Sequence, residues 1–328
     1  MTIAIKEWPA ENIWESGPDS LSLWCHSTAY IEAIARHEGE NHRLLSLEDD
    51  GEVIGLVTVA DRRFRDSVDL YTPYGCQAAF SAGFEPACLD AIKAYSLAKG
   101  YTTAYLFIRP MVKGPFEWNA EISEASRYWL VPLLSAGENR VLLKKNVRNA
   151  SGKRFTDQVR IIVGDSLDTK TTESLFGIYD AMVRDRDASA TYFFSQETFA
   201  ALLCRPNCRI GLAPLDGPIE AFAVFGQGRN TVEYGIAARR GAKPDYSAAI
   251  IWSAMLQAIS EGKSLMCLGG GISPGDSLDW FKSRFGGLSV PQLCAKMVFD
   301  HDKFNRLSGE AGNEARFFPP YFAKRNCC

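Results

Sequence analysis

Apolar and polar positions along the chain fall into two similar series. In the first, Arg43 to Glu48 and Glu52 to Ala60 are apolar-rich runs joined by Asp49-Asp50-Gly51, a pattern that predicts a β-hairpin. Val68 to Thr72 predicts a third strand. From Pro86 to Lys99 the period lengthens to helical spacing through Leu89, Ile92, Tyr95 and Leu97, and Gly100 stops the helix. Thr102 to Ile108 reads as an outgoing strand.

The second series repeats this order. Arg209 to Leu215 and Ile219 to Phe225 flank the turn Asp216-Gly217-Pro218, and Thr231 to Ala238 supplies a third strand. Ser247 to Glu261 predicts a helix with Ile250, Ile251, Ala254, Met255 and Ala258 on one side. Gly262 stops it, and Leu265 to Leu268 leads out. Gly51 and Gly217 are separated by close to half the chain, as are Gly100 and Gly262, so a tandem duplication of one β-β-β-α-β unit accounts for both series. Helical material precedes each unit, over Leu21 to His37 and Thr172 to Leu203. The fold expected is α/β, of the α+β type: two tandem domains, each a mixed, mainly antiparallel sheet flanked by helices. Boundaries are expected at 1–145 and 146–300, with 301–328 a tail that packs back on the first domain.

Composition narrows the classes of function. The 328 residues are 46% hydrophobic and 23% charged, with 36 Lys and Arg against 39 Asp and Glu, which argues against a surface coated in basic residues. Lys6, Glu7, Pro9 and Glu11 stand where a signal peptide needs an apolar run, and no stretch approaches the roughly 18 apolar residues of a membrane span. A cytoplasmic protein is expected, with no membrane span, no DNA partner and reduced cysteines. Cys204 and Cys208 lack a second pair at a metal-ligand spacing, so no metal site is expected. Between Arg140 and Arg160 seven basic residues face the lone Asp157. That stretch reads either as a solvated connection between the halves or as a surface for phosphate or nucleic acid.

Several segments, in order, carry a family resemblance. LFGIYDAMVRDRDASATYFFSQETFAALL, LGGGISPGDSLDWFKSRFGG (Leu268 to Gly287), YTPYGC, LFIRP and the basic NVRNASGKRF together resemble the Fem-type aminoacyl and peptidyl transferases within the GNAT N-acyltransferase superfamily. The resemblance implies two tandem GNAT-like domains and an acyltransferase that forms an amide on an amino group. It implies a donor that is aminoacyl-tRNA and an acceptor that is a small peptide or a nucleotide-linked amine. Acyl-CoA with an amino sugar or small amine is the alternative, and a non-catalytic binder of a metabolite or partner is a further one. No tightly bound cofactor is expected.

The residues themselves suggest where the chemistry sits. Amide formation needs a neutral amine, a stabilised carbonyl oxygen and aligned partners, but no covalent intermediate. Asp276 or Ser277 can cap a short helix in which Lys282 lies beside the apolar Leu278, Phe281 and Phe285, just past Gly269-Gly270-Gly271. Lys282 is the catalytic candidate, and the resemblance makes it the family's Phe-Lys lysine; a surface lysine paired with Asp279 is the plainer alternative. The resemblance makes one of two arginines at the end of the helix from Thr172 the one that grips acceptor phosphates, Arg184 by preference with Arg186 as its close rival. Tyr74 and Tyr246 are candidates for orienting the acceptor, with Arg148 and Phe281 as further binding candidates. Arg239, Arg240 and Gly241 would serve a CoA pyrophosphate only if acyl-CoA were the donor. There Pro244 removes an N–H and Asp245 adds a negative charge. The acid that the resemblance implies near the first-domain groove has no match after Gly75, where Cys76-Gln77-Ala78-Ala79 stand, and the general base is left unassigned.

Overall fold

The structure, a computed structural model, describes residues 3–8, 21, 23–109, 121–186, 188–241, 245–271, 275–311 and 318–322. It divides into two compact units, residues 1–125 with 291–328, and residues 126–290. The chain enters the second unit within one strand and returns to the first within another, where the sequence suggested breaks after 145 and 300.

In the first unit, β1 (Ala4–Trp8), β2 (His42–Asp49), β3 (Glu52–Phe64) and β4 (Ser67–Tyr71) run antiparallel in that order, with the two-residue β5 (Ala79–Phe80) on β3. β4 then pairs in parallel with β6 (Thr103–Ile108). The helix Glu85–Ala98 makes the crossover that a parallel pair requires, and buries Cys88, Leu89 and Ile92 against Leu45, Val57, Ala104 and Leu106. Gly51 in the hairpin and Gly100 after the helix both take positive φ, which explains their place in the repeat.

The second unit contains β7 (Glu121–Pro132) from Ser126 onward, β8 (Arg160–Val163), β9 (Cys208–Ala213), β10 (Ala221–Gln227), β11 (Thr231–Arg239) and β12 (Leu265–Cys267). β8 to β11 run antiparallel, and β11 pairs in parallel with β12 through the helix Ser247–Ser260. Its buried Ile250, Ile251, Ala254, Met255 and Ala258 pack on Phe225, Val232 and Met266. The two units therefore repeat one pattern, apart from β5.

Each unit is completed by a strand that the sequence alone does not assign to it. β13 (Leu288–Val298) lies antiparallel to β6 in the first unit, although it follows β12 in the chain. β7 lies antiparallel to β12 in the second unit, although it follows β6. The first unit also takes the C-terminal helix His301–Ala311, and Tyr321 and Phe322 pack with Phe64 and Leu307.

The basic stretch 140–160 is not a connection between the halves. It lies inside the second unit as the short helices Ala136–Leu142, Lys145–Ala150 and Lys153–Thr156, with Leu143 and Val147 in the core. Ser135 opens the first of these through a reciprocal capping box with Glu138.

Candidate functional site

The polar chemistry of the second unit gathers at the end of β12. There the backbone continues through Gly269, Gly270 and Gly271, and two of these positions need glycine for different reasons. Gly269 has φ +67°, which side chains rarely adopt, and a Cβ on Gly270 would collide with the main-chain carbonyl of Arg127 in β7. The close approach is held by Trp129 N donating to Gly269 O at 3.1 Å and Leu268 N donating to Trp129 O at 2.9 Å.

The helix Ser277–Lys282 follows. Asp276 caps it, its Oδ1 accepting from Asp279 N at 2.7 Å, and Phe281 and Phe285 anchor it in the core with ring centroids 5.3 Å apart. Asp279 is committed elsewhere than to the lysine: it accepts from Trp129 Nε1 at 2.7 Å and from Gly275 N at 3.2 Å. Lys282 is only 6% exposed and donates from Nζ to Gly270 O at 2.7 Å. Its Nζ also stands 5.5 Å from the ring centroid of Tyr234. Burial brings the ammonium down to about 8, against the pull of Cys267, Asp276 and Asp279 toward the charged form. This is a fixed, desolvated cation, the type of group that stabilises charge developing on a carbonyl oxygen.

Tyr234 was not singled out by the sequence. Its position follows from a β-bulge: Ala223 pairs with Ala237 and Phe225 with Tyr234, so β11 carries an extra residue there. Gly235 inside an otherwise apolar strand is the signal that could have marked it. Burial and Asp245 raise the Tyr234 hydroxyl to about 12, and Arg186 opposes them. Arg184 is exposed and pairs with Asp180 at 2.8 Å.

The other candidates are placed more plainly. Tyr246 is 9% exposed in the core and meets Phe155 edge-on at 6.4 Å. Arg148 donates to the carbonyls of Val141 and Leu143, satisfying the end of the helix Ala136–Leu142. Arg239 pairs with Asp245 at 3.5 Å, the backbone N–H of Arg240 is bonded to Glu220 O, and Gly241 has φ +56°. Residues 242–244, with Lys243 and Pro244, lie outside the described residues. At the start of the helix Ser247–Ser260, Asp245 Oδ1 accepts from Ser247 N at 2.9 Å. A carboxylate therefore caps the first N–H of this helix.

Tyr74 belongs to the first unit. Its N–H donates to Glu38 Oε1 at 3.0 Å and its carbonyl accepts from Tyr30 Oη at 2.9 Å. Glu38 is the acid that supports this segment. Burial opposes its charge, but hydrogen bonds from His42, Tyr71 and Tyr74 N outweigh that and hold it low as a carboxylate. A carboxylate 38 residues into the chain carries no local signal of a partner at Tyr74, which is why sequence reading passed over it.

Beside this segment His26 is fully buried, with Nδ1 3.0 Å from Leu21 O and Nε2 2.8 Å from Gln77 O. Both acceptors are carbonyls, so both ring nitrogens must carry protons. Burial disfavours that charge, but Cys25 and the two carbonyls more than offset it and raise the imidazole. The linkage is therefore the raised-pKa case. The stabilisation is complete below the unfolded value of about 6.5 and is lost as pH rises through the folded value. Urea midpoints are expected to fall from mildly acidic to neutral pH, below the window in which Lys282 titrates. A flat profile would show His26 to be neutral.

Among the described residues no group of three or more His, Cys, Asp or Glu is placed to hold a metal ion, and no helix is long and apolar enough to cross a membrane.

Similarity to known proteins lies in the fold. No family model matches the chain, and no curated protein matches its sequence. Among solved structures, FemX superposes with a TM-score of 0.63 at 12% identity, covering 85% of this chain and 93% of that one. The lysylphosphatidylglycerol synthetase L-PGS from Bacillus licheniformis gives a TM-score of 0.55 at 12% identity, over 83% of this chain and 91% of that one. A C-terminal domain from Agrobacterium fabrum, assigned to the same kind of synthetase, gives 0.55 at 14% identity, over 80% and 86%. The Fem-like fold expected from the sequence is the fold observed.

Proposed function

We propose that this Fem-like fold works as an N-acyltransferase, moving an aminoacyl group from aminoacyl-tRNA to the amino group of a small peptide or nucleotide-linked acceptor. The observation that carries the reading is Lys282, a cation kept out of water at a glycine strand end in a fold shared with FemX and L-PGS. In the reaction the neutral amine attacks the ester carbonyl, a C–N bond forms and the ester C–O bond breaks. The tRNA hydroxyl leaves with the proton that the amine gives up. Lys282 holds the carbonyl oxygen while it is negative, with the Tyr234 ring beside it.

Two observations favour tRNA over acyl-CoA as donor. Asp245 takes the helix N–H that a pyrophosphate would need, and Arg239 is drawn to Asp245. Toward the end of the basic stretch, Lys153, Arg154 and Arg160 supply charge suited to a polyanion. Calorimetric titration with acetyl-CoA at low salt is the test. No heat is expected, whereas transfer of a radiolabelled amino acid from a charged tRNA pool should be detected. Micromolar binding of acetyl-CoA would overturn the choice of donor and leave acyl transfer from CoA in its place.

A further inference from the structure

The second unit exposes large apolar side chains that no fold requirement explains. Val141 is 73% exposed, Leu142 41%, Trp280 51% and Leu288 53%. Nine large hydrophobic side chains are exposed among the described residues, and these four come from three separate segments that meet. Gly286 lies directly against Leu142, with no room between them for a Cβ. Lys144 N donates to Arg284 O at 3.0 Å, and the Arg284 guanidinium covers the Trp280 ring at 4.1 Å. Leu288 follows Gly286 by two residues. The segments that carry these side chains are thus neighbours, which singly scattered hydrophobics would not be.

The same surface is cationic. Lys144 and Lys145 are exposed and make no ion pair with a described residue. Arg148 and Arg140 have their donors spent on carbonyls but keep their charge beside Val141. A chain with net charge −3 thereby concentrates positive charge around exposed aliphatic side chains.

We infer that this face docks the protein on an anionic lipid bilayer, with Val141, Leu142, Trp280 and Leu288 entering the headgroup boundary and Lys144 and Lys145 on lipid phosphates. The chemistry selects this partner. An RNA backbone satisfies lysines but leaves Val141 and Leu288 in water, and a neutral membrane satisfies the aliphatics but not the charge. A bilayer of acidic lipid takes both, and Trp is suited to its interface. The inference is independent of the proposed reaction, because it concerns binding and not turnover.

Flotation of the full chain with vesicles tests it. The protein is expected to float with phosphatidylglycerol-containing vesicles and to stay behind with pure phosphatidylcholine. At about 1 kcal/mol per lysine near such a surface, Lys144→Glu with Lys145→Glu should weaken partitioning at least tenfold. Val141→Ser with Leu288→Ser should weaken it by a similar factor, with circular dichroism unchanged. The inference is overturned if neither vesicle binds. It is also overturned if only the lysine pair matters and tRNA competes the vesicles off, which would make the face an RNA surface. Concentration-dependent dimers abolished by Val141→Ser, with no flotation, would make it a contact between copies and would overturn it too.

Discussion

Replacing Lys282 with Met is expected to lower turnover by about two to three orders of magnitude while making the protein more stable, a pairing that ordinary core residues do not show. The first effect follows from removing the cation that meets the developing oxyanion. The second follows from burial. Lys282 titrates at about 8 in the folded protein against an ordinary 10.5, so its charged form is disfavoured by folding. The penalty is full below about 8 and is relieved as pH rises from there toward the unfolded value, so wild-type stability gains across that window and Lys282→Met should not. A shift of this size corresponds to on the order of 1–3 kcal/mol, which Met, of similar length and no charge, should recover in urea denaturation at neutral pH. Activity carries the same signature. A role as cation requires the rate to fall as pH rises through about 8, whereas a role as base would require it to rise.

Gly270→Ala is expected to remove activity as well, but with stability moving the other way. The new methyl group meets the Arg127 carbonyl, which is backbone in a paired strand and cannot swing aside. The strand end must leave β7, breaking the Trp129–Gly269 and Leu268–Trp129 hydrogen bonds and taking the Gly270 carbonyl away from Lys282. A loss of about 2–4 kcal/mol is expected by urea denaturation. Together the two variants separate the lysine's chemistry from the backbone that aims it. If both destabilised the protein alike, Lys282 would be a structural residue.

How much of this was legible in the sequence depends on how local each determinant is. The strands of both repeats and their crossover helices were readable because hairpin glycines, helix-stop glycines and apolar period all act within a few residues. The helix Ser277–Lys282 and its Asp276 cap were readable for the same reason. β1 and β8 are only five and four residues long, so no period marks them. The exchange of β7 and β13 is a choice of pairing partner, which depends on the whole unit and not on either strand's composition. Charge was misleading over 140–160, where seven basic residues concealed Leu143 and Val147 as core positions. The arginines show the same limit. The sequence favours Arg184 over Arg186 for a phosphate, but in the fold the Arg184 guanidinium is taken by Asp180. Lys282 could be named from its neighbours, but its burial, which makes it chemically unusual, required the fold.

The central claim is amide formation from a charged tRNA with Lys282 as the stabilising cation. The most direct measurement is mass spectrometry of a pool of small amines and peptides incubated with the protein and aminoacylated tRNA, in parallel with Lys282→Met. A new amide that needs both the charged tRNA and Lys282, and does not form from acetyl-CoA, is the expected result. The same product at the same rate with Lys282→Met, or a product formed from acetyl-CoA and not from tRNA, would contradict the account.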